Sequence, residues 1–267
     1  RRLWIFMRNS ILKVLNYSYK TRKTWWFTAI AKTKARYART VLGSFWLGIS
    51  TLLTVLCLGF VYGTVFKVSN FLDYFIYLGF GLVIWTPICD SINQAPLIFS
   101  TNSNSLKNST IKPIFFVCQE WAFQVQSFLQ AFLMVFLVFL TFSPGLAINL
   151  FAAPLHFINL VLFIFWLQLL ISLLGTKYTD LFQLLPIITN LLFLLSPILY
   201  AKKNLGSFGF IADFNPIYQV LRLLRNSIIY GQPYFELGFV VLVGNLLMIF
   251  LSIYVYKNME KKVIFYL

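Results

Sequence analysis

A chain of 267 residues with 22 Lys and Arg, seven Asp and Glu, one His and three Cys carries a formal charge of +15. Hydrophobic residues make up 60% of it and charged residues 11%, with mean hydropathy +0.80, whereas a soluble domain has about 25% charged residues. That composition excludes an ordinary soluble domain and describes an integral membrane protein with one membrane domain. The cations lie beside apolar runs, where anionic headgroups attract them, so no nucleic-acid partner is expected.

The chain opens on Arg1 rather than Met, and an incomplete start is expected. Arg8, Lys13 and Lys20 interrupt the first 20 residues, unlike the unbroken apolar core of a signal peptide. Over residues 3–18, Leu3, Trp4, Met7, Ile11, Val14 and Leu15 share one helical face, with Arg2, Lys13 and Lys20 opposite. This pattern predicts a helix lying in the membrane interface, the alternative being a helix packed on a partner surface. A second basic run with Trp25 and Trp26 follows, suited to the headgroup level. Lys32, Lys34, Arg36 and Arg39 then stand directly before residues 40–66, about 27 without a charge, where about 20 suffice to cross a bilayer. A basic flank on the first span keeps that end in the cytoplasm.

Span 1 is expected at about 41–66 and span 2 from Phe71 inward, fading at Asp90, Asn93 and Gln94. Residues 100–113 are the most polar stretch, either a plain inner loop or a docking element for a cytoplasmic partner. Span 3, about 119–141, starts with Gln119, Glu120, Gln124, Gln126, Ser127 and Gln130, whose two adjacent helical faces should meet protein or a wet cavity rather than lipid. An uncharged outer loop at 142–156, span 4 at about 157–174, an inner turn at 175–180 and span 5 at about 181–200 follow. Asn215-Pro216 opens a helical pattern through Ile217, Leu221, Leu224 and Ile228, stopped by Gly231 and Pro233. Too short and basic to span, it reads as a re-entrant or interfacial outer helix. Span 6, about 235–256, holds Asn245 near its middle.

The expected fold is therefore an all-α integral membrane protein. It has six transmembrane helices, an N-terminal amphipathic interfacial helix, a re-entrant outer helix between spans 5 and 6, and both termini cytoplasmic. Residues 1–40 form the cytoplasmic interfacial region and 41–267 the six-span transmembrane domain. Inner segments hold 17 of the 22 cations, 11 before Val41, two in 100–118, Lys177, and three at the end, which fits this topology.

The chain has no Gly-Lys pair, hence no phosphate-cradling loop. It has no His-Glu-x-x-His, and Cys57, Cys89 and Cys118 share no metal-ligand spacing, so no cofactor or metal is expected in it. Asp90 and Glu120 are the acids near membrane depth on the inner side, at span ends where a carboxylate is readily hydrated. Aromatics are 19% of the chain; most serve packing and interface belts, and a minority could present flat faces to sugars. Arg222 and Arg225 on the outer helix meet either headgroups or an anionic substrate.

Several stretches resemble a family. Residues 34–46, Lys-Ala-Arg-Tyr-Ala-Arg-Thr-Val-Leu-Gly-Ser-Phe-Trp, are similar to the start of the first span in ABC-2-type permeases that export polysaccharides. Leu-Gly-Phe-Gly-Leu-Val-Ile-Trp at 78–85 resembles their second span, and 105–116 sits where they have a cytoplasmic coupling segment. Gly-Thr-Lys-Tyr-Thr-Asp at 175–180, Leu-Ser-Pro-Ile-Leu-Tyr at 195–200 and Asn-Pro-Ile-Tyr at 215–218 match further signatures in order. The group most alike comprises O-antigen, capsule and teichoic-acid exporters. One departure is the coupling segment, which is less basic than usual and reads Lys112-Pro-Ile-Phe-Phe in place of a Phe-Pro-Arg ending.

The resemblance implies a homodimeric permease in a bacterial inner membrane, moving a lipid-linked polysaccharide. ATP and Mg would be bound by two separate nucleotide-binding subunits. It implies coupling through 100–116, with Leu106, Lys107, Ile111 and Lys112 as candidates. Trp85, Gln126 and Gln130 are candidates for the passage, and Tyr218, Arg222 and Arg225 for an outer gate within 204–230. The alternatives are an ABC-2 exporter of a lipid or drug, a membrane enzyme acting on polyprenyl-linked sugars, and a stand-alone channel.

Overall fold

A computed structural model describes the backbone of residues 2–266, with side chains described for 11–202, 204–260 and 262–266. The regular structure of the described residues is all helical, without strands. Helices α1 (Arg2–Lys20) and α2 (Arg22–Tyr37) are separated by a break at Thr21, whose hydroxyl donates to the Tyr17 carbonyl at 2.9 Å. Trp25 Nε1 donates to the Ser18 carbonyl at 2.9 Å across that break. Of the apolar face predicted for α1, Leu3, Trp4 and Met7 lie outside the described side chains. Ile11 and Val14 are buried against the body of the protein, while Leu12, Leu15 and Tyr19 are exposed. The helix thus packs on its own chain through a narrow stripe and leaves the neighbouring apolar residues outside.

Helix α3 (Trp46–Val65) is held by close approach rather than by volume. A Cβ at Gly48, Gly59 or Gly63 would fall within 2.7 Å of Met134, Phe75 or Phe71 respectively, so these small residues let α3 lie against its neighbours. Much of its remaining surface is exposed, with Leu53, Leu56, Phe60, Val61 and Val65 pointing outward. Helix α4 (Phe71–Gln94) starts at an Asn70 cap, the side-chain oxygen accepting from Leu72 N–H at 3.1 Å. It is the hub: residues 78–85 are buried on every side, and Phe80 meets Phe132, Phe136 and Phe139 at centroid distances of 5.6–6.4 Å. A 3-10 turn at Ala95–Leu97 carries it into α5 (Ile98–Thr101) and then α6 (Ser103–Asn108).

Helix α7 (Pro113–Phe142) begins six residues before the apolar run expected for span 3. Proline at a first helical position lacks only an N–H the helix could not use, and Ile114–Cys118 are apolar enough to be buried. The short α8 (Leu146–Asn149) leads to α9 (Pro154–Lys177). Helix α10 (Leu181–Leu195) is shorter than the fifth span expected at about 181–200. Its 15 residues rise about 22 Å at 1.5 Å each, short of the roughly 30 Å hydrocarbon core. The apolar sequence continues to Tyr200, but Pro197 cannot extend the helix and Ser196 is already extended. Among the described residues, five helical segments are long and apolar enough to cross a membrane: Gly43–Val65, Phe71–Thr101, Pro113–Phe142, Pro154–Lys177 and Phe235–Glu260. The shorter α10 is the sixth apolar helix.

After α11 (Gly209–Phe214) comes α12 (Pro216–Tyr230), bounded as the sequence predicts. Asn215 caps it, accepting from Ile217 and Tyr218 N–H, and Gly231 closes it in the left-handed conformation at φ 68°. Helix α13 (Phe235–Tyr266) runs past the end expected for span 6, because Lys, Met and Glu in the 257–262 stretch favour helix and Val263 is buried.

Two buried clusters divide the molecule along its length. One, centred on α4, joins α7, α9 and α12 through the middle and the end bearing residues 196–234. The other, at the basic end, joins Ile11, Val14, Leu106, residues 114–118, Leu169, Ile253, Tyr256 and Val263. A polar ladder fixes α9 to α13. His156 Nε2 lies 2.7 Å from the Pro233 carbonyl, Asn159 Nδ2 donates to Gly238 O at 2.9 Å, and Trp166 Nε1 donates to Asn245 Oδ1 at 2.9 Å. Asn245 in turn donates to Asn159 O at 3.1 Å.

Candidate coupling, passage and gate sites

The candidate coupling residues divide by direction. Leu106, on α6, is buried in the basic-end cluster, and Ile111 is half-buried against it. Lys107 is exposed on α6. Lys112 occupies the N-cap of α7, its Nζ 5.1 Å from the centre of the Tyr17 ring. The segment thus has an apolar side in the core and carries two cations, Lys107 exposed and Lys112 half-buried on the Tyr17 ring.

On α7, Glu120 pairs with Lys32 of α2 and its other oxygen accepts from Gln124 at 3.2 Å. Lys32 and Arg36 lie 4.7 and 4.6 Å from the centre of the Phe123 ring, and Ala29 meets this surface beside Ala122, both fully buried. Three cavities border this part of α7. One of about 340 Å³ lies between Lys32, Gln94, Asn102, Gln119 and Glu120. A second of about 80 Å³ touches Thr86, Asp90, Gln124 and Ser127. A third of about 290 Å³ is lined by Lys34, Tyr37, Ser44, Gln126 and Gln130. Each polar residue singled out at the start of span 3 therefore borders a cavity, which is where a lipid solvent would leave it.

Of the three candidate passage residues, Gln126 and Gln130 come together in the third cavity. Gln126 also donates to the Trp26 carbonyl at 3.3 Å. Trp85 stands apart, buried on α4 with its ring 5.7 Å from that of Phe193 on α10.

The candidate gate residues are not equivalent. Arg225 is 1% exposed. Its Nη1 donates to the Pro197 carbonyl at 3.0 Å and its guanidinium lies 3.8 Å from the Tyr77 ring centre. Tyr77 Oη lies within donor distance of the Pro197 and Tyr200 carbonyls, at 3.1 and 3.2 Å, and Tyr74 Oη donates to Leu199 O at 2.5 Å. Residues 196–200 leave the α10 helix, so their carbonyls need partners from elsewhere. Arg225, Tyr77 and Tyr74 are those partners. Tyr218 is buried beside them, whereas Arg222, one turn away, is half-exposed with no hydrogen-bond or ion-pair partner among the described residues. Sequence reading missed Tyr74 and Tyr77; their spacing of three on α4 was visible, but not the irregular segment more than a hundred residues away that they serve.

The chain is a helical membrane domain with a polar seam, and residues 25–229 match the ABC-2 type transporter family. The chain belongs to that family; it is a multi-pass membrane permease and the transport subunit rather than the ATPase. Two relatives, both named O-antigen export system permease protein RfbA and both from Klebsiella pneumoniae, are similar over most of its length. One is 25% identical over 206 residues, covering 76% of this chain and 79% of the relative. The other is 22% identical over 230 residues, covering 85% and 88%.

Proposed function

We propose that the chain is the membrane subunit of an ABC exporter that carries a lipid-linked, O-antigen-like polysaccharide across a bacterial inner membrane. The observation that carries this reading is the alignment with two O-antigen export permeases along three-quarters or more of the chain. In this reading α10 and the segment after it complete a sixth crossing, α12 is a re-entrant outer helix, and both termini are cytoplasmic. Residues 1–40 are the inner interfacial region and 41–267 the transmembrane domain. ATP and Mg are bound by two separate nucleotide-binding subunits, and two copies of this chain form the path. Gln183, Ile187, Asn190 and Leu194 of α10 are all exposed on one helical face, and its two amides are costly against lipid, which supports a second copy or a wet passage there. Gln126 and Gln130 belong to the passage, with Trp85 supporting it from behind. Arg222 is the gate residue that meets anionic substrate or headgroups, while Tyr218 and Arg225 hold its helix.

The mechanism follows from differential binding: closure of the ATPase pair on ATP displaces the inner segment, and only a helix arrangement with two states of different affinity for that partner responds. Lys107 and Lys112 are the cationic contacts. Alanine at both is expected to lower partner-stimulated export several-fold while leaving the permease in the membrane, each exposed ion pair contributing about 0.2–1 kcal/mol. Wild-type export and ATPase stimulation in that double variant would remove the segment from the coupling role. The reading as a whole is tested by depleting the chain in its host. Surface polysaccharide should vanish while its lipid-linked form accumulates inside; unchanged surface polysaccharide contradicts it.

A further inference from the structure

The first turn of α7 has no cap of its own. Lys112 at the N-cap offers no side-chain acceptor to the turn, Pro113 has no N–H, and Ile114 is buried. Lysine is not a capping residue, and the open N–H groups of a helix start need acceptors from elsewhere. Two tyrosine hydroxyls supply them. Lys112 N–H donates to Tyr17 Oη at 3.2 Å, from α1, and Ile114 N–H donates to Tyr256 Oη at 3.3 Å, from α13. Tyr256 is fully buried, and its hydroxyl lies 3.3 Å from Glu260, which also pairs with Lys257. Around these bonds Ile11 and Val14 of α1, Leu106 of α6, Ile114 of α7 and Val263 of α13 share one buried cluster.

We propose that α1 and the C-terminal part of α13 belong to the coupling device, with Tyr17 and Tyr256 as positioning residues that join both to the start of α7. The inference rests on the exporter reading above and adds where the push is received. The inner segment does not end in a free loop: it enters α7 through a turn tied to both ends of the chain. A displacement at α6 or Lys112 therefore moves α1, α7 and α13 as one unit, and α7 carries the Glu120, Gln124 and Gln126 face. Without the hydroxyls the same helices pack, because the rings remain, but the turn that starts α7 loses its hydrogen bonds to the two others.

The test uses the complete complex with its ATPase, carrying Tyr17→Phe, Tyr256→Phe or both. Three quantities are measured: the amount of assembled complex, its ATP hydrolysis, and surface polysaccharide per complex in the producing cells. The expected result is wild-type assembly and retained hydrolysis, with polysaccharide per ATP reduced about fivefold in each single variant, the scale of one hydrogen bond, and further in the double variant. Unchanged polysaccharide per ATP overturns the inference. So does a loss of export that merely tracks a loss of assembled complex, since the tyrosines would then only support folding. A wild-type preparation without any ATPase fails the exporter reading instead, and that is seen before any variant is compared.

Discussion

Replacing Arg225 by alanine is expected to destabilise the protein by about 3 kcal/mol, combining a charge-assisted hydrogen bond, a desolvated cation–π contact and a cavity. The side chain is among the largest that are fully buried, and it meets the Pro197 carbonyl and the Tyr77 ring, with no carboxylate partner among the described residues. Removing it loosens α12 from the segment after α10, so that end of the molecule opens before the rest. Thermal unfolding of the detergent-solubilised protein should move down by roughly 8 °C. Lysine at 225 keeps the charge but neither the flat stack nor the forked donor, and should recover only part of the loss. Arg222→Ala is the control, because that side chain is half-exposed and without a partner among the described residues. An Arg225→Ala protein that melts with the wild type would show that the guanidinium holds nothing.

Gly175→Val is expected to be the most damaging change at the basic end. A Cβ at Gly175 would stand 2.5 Å from Pro96 Cα and 3.0 Å from its carbonyl oxygen. The obstacle is backbone, so no rotamer change relieves it, and overpacking of this kind costs about 1–3 kcal/mol. Its effect on function should exceed its effect on stability, because Pro96 begins the stretch that passes through α5 to α6. In the proposed exporter, pushing it from α9 displaces the 100–113 segment from the ATPase. At matched amounts in the membrane, the valine variant should show little surface polysaccharide, and alanine an intermediate level. Normal export with valine would mean that α9 and the 95–97 turn separate without consequence.

Much of the architecture was legible in the residues, for identifiable reasons. The runs that became α3, α9 and α13 are apolar over a bilayer's width, and that signal does not depend on neighbours. Helix α12 announced both ends, through Asn215-Pro216 and Gly231, because caps are local chemistry. Helix α10 was less readable: its apolar run continues to Tyr200, and a proline at 197 is compatible with either a kink or a stop. The two arginines of α12 show the limit for sites. Three positions apart on one helix, they look alike in sequence, yet Arg225 is buried on Tyr77 and Arg222 is not. That difference is set by α4 and the Ser196–Tyr200 turn, which are far away in the chain. The tyrosine caps of α7 were hidden for the same reason, their donors and acceptors lying 95 and 142 residues apart. The polar face of α7 was legible because a run of amides inside an apolar span is costly unless it is shielded from lipid.

The most direct measurement is purification of the protein from its native membrane, with its companions identified and their amounts compared, and with ATP hydrolysis assayed on the product. A nucleotide-binding subunit present in equal amount, with hydrolysis, is the result expected of an exporter permease. Recovery of the chain as a lone oligomer, with no ATPase bound and no hydrolysis, would contradict that role and point to a channel or a membrane enzyme.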